Sequence, residues 1–218
     1  MSVIEDELIE ELSIEVEWRI SEIAIIKTIP YLYRVTDVHK EVLQKYLIPA
    51  LYALWEGYVV KSFEIYAKKI NQLNLNMDEL HPCILTHDLD IKKGLKDGRA
   101  SSQKQVEFAL DLKEYFSSEV SLSGKVPTKS NVKFKTINNI LERFNLEKFP
   151  KNYYEFGLTK LLKYRNDIAH GENSLNVDNE IVLELSDVVV KCMDKLTDIL
   201  VDGITNQSYL APTTHGDG

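Results

Sequence analysis

The chain has 218 residues, which fits one domain or one domain carrying an insertion. Nine Gly and six Pro are few, so long elements are expected rather than a turn-rich β architecture. Charge interrupts every apolar stretch before it reaches the ~20 residues that span a bilayer, and the acidic N-terminus is unlike a signal peptide. Only two cysteines, Cys83 and Cys192, argue against a disulfide scaffold. We therefore expect a cytoplasmic protein that is not associated with a membrane.

The net charge of −8 argues against broad nucleic-acid binding, but the charge is unevenly distributed. Residues 1–22 hold eight acids and one base, whereas residues 125–165 hold ten bases and three acids. The second segment, with a net charge of +7, could form one basic face on an acidic protein. For charge alone, solvated helix surface is the simpler explanation.

The first predicted helix covers residues 4–29, where apolar residues recur at helical spacing, although part of this segment also alternates as a strand would. Pro30 is expected to end this helix, because proline removes a backbone donor. Thr36 offers an N-cap for a second helix, which Pro49 should kink or split. Between residues 50 and 70 apolar and aromatic side chains cover more than half of the helix, so this part should be central to the core.

Four further helices are predicted downstream, and turn-forming residues separate them. Ser101 or Ser102 should cap the helix at 101–117, Gly171 should end the helix at 152–170, and Asp178 should cap the helix at 179–203. The segment before them, residues 71–100, is polar and predicts irregular structure. The four helices are expected at 101–117, 133–145, 152–170 and 179–203, and the whole pattern predicts an all-α helical bundle.

Arg165 and His170 lie together at the expected end of the penultimate helix. An imidazole moves protons in either direction near neutral pH, and a guanidinium binds phosphate through paired hydrogen bonds. These two groups suffice to cleave RNA without a metal, because the 2′-hydroxyl of the substrate is the nucleophile. Asn166 would lie near Arg165 and could orient phosphate or His170. Spacing alone does not establish catalysis, since such pairs arise by chance and the helix dipole favours a terminal His.

The angular separation of the two side chains limits this hypothesis. On a straight helix, five residues at ~100° each place Arg165 and His170 about 140° apart. They converge only if the helix ends between them or if two chains contribute. Gly171 predicts a nearby helix end, and a twofold dimer would bring two Arg and two His into one cleft. The spacing therefore predicts a composite site across a homodimer interface.

Residues 165–171 read Arg-Asn-Asp-Ile-Ala-His-Gly, which resembles the signature of the HEPN superfamily (higher eukaryotes and prokaryotes nucleotide-binding domain). Residues 53–59 read Ala-Leu-Trp-Glu-Gly-Tyr-Val and are similar to the Trp-Glu-Gly helix of a large bacterial branch of defence-associated HEPN nucleases. Residues 17–19 and 131–134 also fit that branch. The Arg-to-His motif is weak by itself, and its combination with Trp-Glu-Gly at this separation is fairly specific.

The resemblance implies a helical bundle that forms a homodimer and often acts as a metal-independent endoribonuclease in toxin–antitoxin or antiviral defence systems. Arg165 and His170 would then be catalytic and Asn166 auxiliary, with RNA as the substrate, no cofactor, and an antitoxin or defence-system protein as a further partner. Some HEPN toxins carry a Tyr two residues after the His, which a partner nucleotidyltransferase modifies. Glu172 occupies that position here, so this form of neutralisation is not implied.

The resemblance also implies the domain organisation. Residues 1–203 would form a single HEPN-like helical domain, and residues 71–132 would be a family-specific insertion. The polar residues 204–218 are expected to form a disordered tail.

A non-catalytic adaptor or regulatory subunit is the alternative function. Many HEPN domains lack catalysis, and the acidic charge and strong apolar helix faces suit a protein or nucleotide partner. On this hypothesis Arg165 and His170 would fix the dimer interface.

Glu56 has two interpretations, because a carboxylate on an aromatic-rich helix is costly to bury without a partner. It could support the site by pairing with Arg165 or by holding His170 in one tautomer. It could equally be a surface residue or pair with a Lys.

A second polar cluster lies between residues 81 and 90, and all its members belong to types that bind zinc. Their spacing matches no metal motif and Pro82 suggests a loop, so polar loop residues are the expected explanation and no metal is predicted. No phosphate-binding glycine loop occurs in the sequence. The members are His81, Cys83, His87, Asp88 and Asp90.

Overall fold

The computed structural model describes residues 3–93, 102–116, 119–172 and 176–212. Within these residues the only β-type pairing is one antiparallel bridge between Leu80 and Leu210, so the predicted all-α class is confirmed. None of the helices in the described part of the chain is long and apolar enough to span a membrane. The helices are α1 (Val3–Leu32), α2 (Asp37–Asn71), α3 (Pro82–Lys93), α4 (Ser102–Phe116), α5 (Phe134–Arg143), α6 (Lys151–Ala169) and α7 (Asn179–Thr205), with a 3₁₀ turn at Met77–Glu79.

Helix α2 lies at the centre of the bundle and packs against α1, α6 and α7. Its second half buries Trp55, Tyr58 and Tyr66 completely, because apolar side chains cover most of its circumference. Full burial of one large apolar side chain contributes about 1.5–3 kcal/mol. The predicted central position of residues 50–70 is therefore confirmed.

A buried lysine joins the end of α2 to the start of α1. The Nζ atom of Lys69 lies 2.7 Å from a carboxylate oxygen of Glu7 and 2.8 Å from one of Glu11. The Lys69 side chain is 1 % exposed, and a buried ammonium is costly unless it is paired. The two carboxylates therefore fix the position of α1 along α2.

Two predicted helix caps, Thr36 and Asp178, are found where the sequence placed them. The Thr36 hydroxyl accepts a hydrogen bond from the His39 N–H at the start of α2. The Asp178 carboxylate accepts one from the Ile181 N–H, at 2.9 Å, at the start of α7. Helix α4 begins at Ser102, and Ser101 lies outside the described residues, so the predicted serine cap of this helix stays a prediction. Side-chain caps of this kind act within one turn, so sequence alone identifies them.

Neither proline of the first two helices ends or splits its helix, and the predicted alternative of a kink at Pro49 stays a prediction. Helix α1 continues beyond Pro30 for two residues, and Pro30 itself is buried in the core. Helix α2 is continuous through Pro49 rather than split there. An interior proline costs a helix about 3 kcal/mol, and the burial of neighbouring side chains such as Ile48 and Leu51 offsets that cost.

The segment from 71 to 132 is more helical than predicted, because α3 occupies part of the stretch expected to be irregular. Pro82 is the first residue of α3, a position that proline favours since its missing N–H has no helical partner there. A small second hydrophobic cluster of Met77, Leu89 and Tyr115 joins the 3₁₀ turn, α3 and α4. The assignment of this segment as a family-specific insertion stays a prediction.

The expectation of a disordered tail from residue 204 is wrong for residues 204–212. Helix α7 continues to Thr205, and the chain then folds back against the 3₁₀ turn. The His81 N–H donates to the Tyr209 carbonyl and the Ala211 N–H donates to the Glu79 carbonyl, both at 2.8 Å. Burial of the Tyr209 ring adds an apolar anchor. Residues 213–218 lie outside the described part of the chain.

Gly157 lets α6 approach α7 closely. A Cβ atom at Gly157 would lie 2.7 and 2.8 Å from the two methyl carbons of Val188. A β-branched side chain is stiff at χ1, so Val188 cannot turn away from such a contact. The backbone of α6 would have to move instead.

We expect Gly157→Ala to destabilise the protein by about 1–3 kcal/mol, because overpacking outweighs the better helix propensity of alanine. Urea unfolding followed by circular dichroism measures this change. Thr159→Ala, at an exposed position of the same helix, is the matched control and should change stability little. A Gly157→Ala protein as stable as the wild type would contradict the close contact.

Candidate active site

The end of α6 separates Arg165 from His170. Helix α6 ends at Ala169, and His170 is the capping residue that follows it. The Gly171 N–H donates to the Ile168 carbonyl and the Glu172 N–H donates to the Asp167 carbonyl, at 3.1 and 3.0 Å. Together with the positive φ of 79° at Gly171, these bonds form a Schellman motif. The predicted helix end at Gly171 is confirmed.

Arg165 is half-buried in the last part of α6 and has two partners in the chain. Its guanidinium carbon lies 4.8 Å from the centroid of the Tyr52 ring on α2, a cation–π distance. Its Nη1 atom donates to the Asn166 side-chain oxygen at 2.9 Å. The expected proximity of Asn166 to Arg165 is therefore observed. The guanidinium is oriented by an aromatic face below it and an amide beside it.

Tyr52 belongs to a buried support beneath Arg165 that the sequence did not reveal. Its ring is 2 % exposed, and its hydroxyl accepts a hydrogen bond from the Val132 N–H at 2.9 Å. The Trp55 indole N–H donates to the Val132 carbonyl at 3.2 Å. Both polar backbone groups of buried Val132 are thus satisfied by α2 side chains. These bonds join two segments that carried the family resemblance.

Glu56 lies near Tyr52 and forms no bond to the two predicted catalytic side chains in the described structure. Within the described residues, no hydrogen bond or ion pair joins Glu56 to Arg165 or His170. The pKa of Tyr52 is raised to about 12, mainly by burial and in smaller part by the negative charge of Glu56, against the lowering effects of the Val132 hydrogen bond and the positive charge of Arg165. Tyr52 therefore lies between the two charges. The spacing of four residues between Tyr52 and Glu56 was the signal that could have identified it.

The Gly of the Trp-Glu-Gly motif lies beside a buried arginine. A Cβ atom at Gly57 would lie 3.7 Å from Nη2 of Arg19, which is 5 % exposed. Arg19 pairs with Glu15 one turn earlier on α1. The three motif residues thus have separate surroundings. Trp55 lies in the core and bonds to Val132, Glu56 lies near Tyr52, and Gly57 faces α1.

The His170 side chain is exposed, and its surroundings are fixed through the backbone. The His170 N–H donates to the Asn166 carbonyl at 2.9 Å. Two residues later, the Glu172 carbonyl accepts a hydrogen bond from Lys45 Nζ of α2 at 2.7 Å. No hydrogen bond joins the His170 and Arg165 side chains in the described structure. One chain alone thus holds the guanidinium in place and leaves the imidazole open to solvent.

The basic segment 125–165 is partly neutralised by ion pairs. Four of its ten bases lie within 4 Å of a carboxylate, at distances between 2.6 and 3.8 Å. Such exposed pairs contribute roughly 0–1 kcal/mol each, so they matter here for charge rather than for stability. Five lysines of the segment are exposed and form no ion pair in the described structure: Lys125, Lys129, Lys133, Lys135 and Lys163.

The polar cluster at residues 81–90 forms a structural network on α3. Asp88 is 2 % exposed and accepts hydrogen bonds from the Tyr115 hydroxyl and the Ser123 N–H, at 2.8 and 3.0 Å. Arg143 of α5 pairs with Asp90 at 2.8 Å. Among the described residues, no three His, Cys, Asp or Glu side chains are grouped to hold a metal ion. The loop predicted from Pro82 is wrong, since these residues lie on a helix and at its start.

Together, the helical bundle, the Trp-Glu-Gly helix and the helix-terminal Arg and His define a HEPN-type protein. The chain matches the family model described as RiboL-PSP-HEPN over residues 14–202 and belongs to that family. Searches of curated proteins and of solved structures found no match. HEPN membership suggests a nuclease or nucleotide-binding role, and the predicted resemblance to the HEPN superfamily is confirmed.

Buried His87 makes the stability of the α3 network depend on pH. Its Nε2 atom lies 3.0 Å from the Lys125 carbonyl and its Nδ1 atom lies 3.4 Å from Nη1 of Arg143. The first bond requires a proton on Nε2, and the second requires a free lone pair on Nδ1, so the ring is neutral. Burial, with the Arg143 charge added, lowers the pKa of His87.

Because the folded-state pKa lies below the unfolded value of about 6.5, His87 contributes stability that is complete above that value. This stability should be lost as the pH falls from there through the folded-state pKa. We expect the stability advantage of wild type over His87→Gln to shrink on acidification in urea unfolding at a series of pH values. His39→Gln, at an exposed histidine, is the control and should change the profile little. A constant difference between wild type and His87→Gln at all pH values would contradict the assignment.

Proposed function

We propose that this protein is a metal-independent endoribonuclease of a toxin or antiviral defence system. His170 is the acid and base, Arg165 stabilises charge on the scissile phosphate, and Asn166 holds Arg165. The observation that carries the proposal is the orientation of Arg165 over Tyr52, together with a solvent-open imidazole at the end of the same helix, in a chain of the HEPN family.

The chemistry needs only groups that the chain and the RNA supply. An imidazole takes the proton of the 2′-hydroxyl, whose oxygen attacks the neighbouring phosphorus. Negative charge builds on the phosphate oxygens, where a guanidinium stabilises it through paired hydrogen bonds. The bond from phosphorus to the 5′-oxygen breaks, and that oxygen receives a proton from an imidazolium. The products are a 2′,3′-cyclic phosphate and a free 5′-hydroxyl.

A homodimer completes the site in this proposal. The N-terminal half of α2 exposes Val38, Val42 and Tyr46, whose side chains are between 49 and 67 % exposed. These residues recur every fourth position, and Lys45, next to Tyr46, contacts the loop that follows His170. An exposed apolar surface beside the imidazole suits a twofold contact that brings His170 towards Arg165 of the second chain.

Glu56 has a supporting role in this proposal through Tyr52. Its carboxylate acts electrostatically on Tyr52, whose ring provides the face on which the guanidinium rests. Glu56 also offsets part of the positive charge that Arg165 brings to a partly buried position.

A non-catalytic adaptor remains the second candidate function. The observation in its favour is that Arg165 already has two partners within the chain, as expected of a structural residue. On this hypothesis the same apolar surface of α2 binds a partner and the imidazole has no chemical task.

The first test is cleavage of RNA by the purified protein in EDTA. The wild type should release products with 2′,3′-cyclic phosphate ends, and His170→Ala should lower the rate by about 10²–10⁴-fold while the helical content is unchanged. His81→Ala is the matched control, because this histidine lies at the start of α3 and should not affect the rate. Glu56→Gln should give a smaller loss than His170→Ala.

Equal cleavage by wild type and His170→Ala would refute the catalytic assignment. Absence of cleavage under every condition, combined with a monomeric Arg165→Ala protein, would favour the adaptor. Induced expression tests the toxin role, since growth should stop with the wild type and continue with His170→Ala.

The second test asks whether one site takes Arg165 and His170 from different chains. Each single variant, Arg165→Ala or His170→Ala, should be inactive alone. After the two proteins are mixed and allowed to exchange subunits, mixed dimers should hold one intact composite site, which restores about a quarter of wild-type activity when half of the dimers are mixed.

Mass analysis of the mixture confirms that mixed dimers form. If they form and no activity returns, both residues act within one chain, and the composite arrangement is wrong even if cleavage itself is real.

A further inference from the structure

The outer face of α1 carries an apolar stripe that nothing in the described structure covers. Ile14, Trp18, Ile25 and Leu32 are 56, 44, 58 and 71 % exposed. Their spacings of four, seven and seven residues place them within about 40° of arc on a helix, along roughly 27 Å of its length. Heptad spacing of this kind is typical of a helix surface that pairs with another helix. The opposite face of α1 already packs in the core, so the stripe is an additional surface.

Trp18 is held in position at the centre of this stripe. Its indole N–H donates to a Glu15 carboxylate oxygen at 3.2 Å, and the Arg19 guanidinium carbon lies 4.2 Å from the ring centroid. Arg19 is itself buried between α1 and the Tyr58 ring. An exposed tryptophan that is already ordered loses little conformational entropy on binding, and tryptophan is the residue type most enriched among interface hot spots.

The charges that α1 itself exposes beside the stripe have one sign. Every fully exposed charged residue of α1 is acidic, and its two bases are half-buried Lys27 and buried Arg19, which is paired with Glu15. Helical geometry places Glu10 and Glu17 on one side of the stripe and Glu22 on the other. A second copy of α1 would bring acids against acids, which is unfavourable. Charge complementarity instead favours a partner with lysine or arginine beside its own apolar residues.

We propose that the outer face of α1 binds a basic amphipathic helix of a different protein. Heptad-spaced apolar residues of the partner pack on Trp18 and its neighbours, and its basic residues pair with Glu17 and Glu22. This surface shares no residue with the Arg165–His170 segment, so a partner can bind there while the candidate active site remains free.

The test uses the full-length protein and three fluorescein-labelled peptides, with binding followed by fluorescence anisotropy. The first peptide has three heptads with Leu at positions a and d and Lys at positions e and g. The second carries Glu at e and g, and the third is the lysine peptide in scrambled order. The lysine peptide should bind at least about tenfold more tightly than either of the others, and added salt should weaken its binding.

Variants of the stripe locate the binding site. Trp18→Ala should weaken binding of the lysine peptide by about tenfold or more, as expected for an interface hot spot. Ile25→Ser, which removes no hydrogen bond of the fold, should also weaken it, and Glu17→Lys combined with Glu22→Lys should abolish the preference for lysine over glutamate. Phe156→Ala, at an exposed aromatic of α6, is the matched control and should leave binding unchanged.

Three results would overturn the proposal. The lysine and scrambled peptides could bind equally, or both Trp18→Ala and Ile25→Ser could bind as the wild type does. Alternatively, light scattering could detect a wild-type dimer that Ile25→Ser abolishes and the lysine peptide dissociates, in which case the occupant is a second copy of the chain.

Discussion

The burial of α2 constrains the rest of the protein, because this helix packs against α1, α6 and α7 at once. Several of its side chains also form polar bonds to segments far away in the sequence. Lys45 bonds to the loop after α6, Tyr52 and Trp55 bond to Val132, and Lys69 bonds to α1. A helix that is buried along most of its length has little freedom to rotate or slide, so each of these bonds fixes its partner relative to the same core.

In the candidate active site, helix α2 orients the side chain of Arg165 but not that of His170. Arg165 is oriented by the ring of Tyr52, whose hydroxyl is bonded to the backbone of buried Val132. Because this support is itself fixed, the guanidinium is preorganised. His170 follows the end of α6, where the Schellman motif turns the chain away from the helix axis. A fixed cation and an exposed imidazole suit a site that a second chain completes. The same arrangement explains why one chain shows no contact between the two side chains.

Predictions of helix caps and of a helix end from neighbouring residues were confirmed, whereas the two prolines did not end or split their helices. The caps at Thr36 and Asp178 and the end at Gly171 each depend on atoms within one helical turn, and all three are observed. Pro30 was expected to end α1 and Pro49 to kink or split α2, but both helices continue past their proline, because burial of neighbouring side chains offsets the lost hydrogen bonds. Helix α3 was missed because its buried polar residues resemble a loop until Arg143 and other distant partners are known. The ordered residues after α7 were missed for a similar reason, since Tyr209 is held by contacts with the 3₁₀ turn.

The sequence by itself determined the all-α class, the main helices and their caps, the family, and the chemical identity of Arg165, Asn166 and His170 as candidate groups. Tertiary structure alone decided that Arg165 rests on Tyr52, that the Glu56 carboxylate lies near enough to influence that tyrosine, and that Trp18 stands ordered on an acidic outer face. The physical reason is the range of the interactions. Caps and helix ends join residues a few positions apart, whereas the bonds from Trp55 and Tyr52 to Val132 join residues 77 and 80 positions apart. Only the packing of the whole bundle brings such residues together.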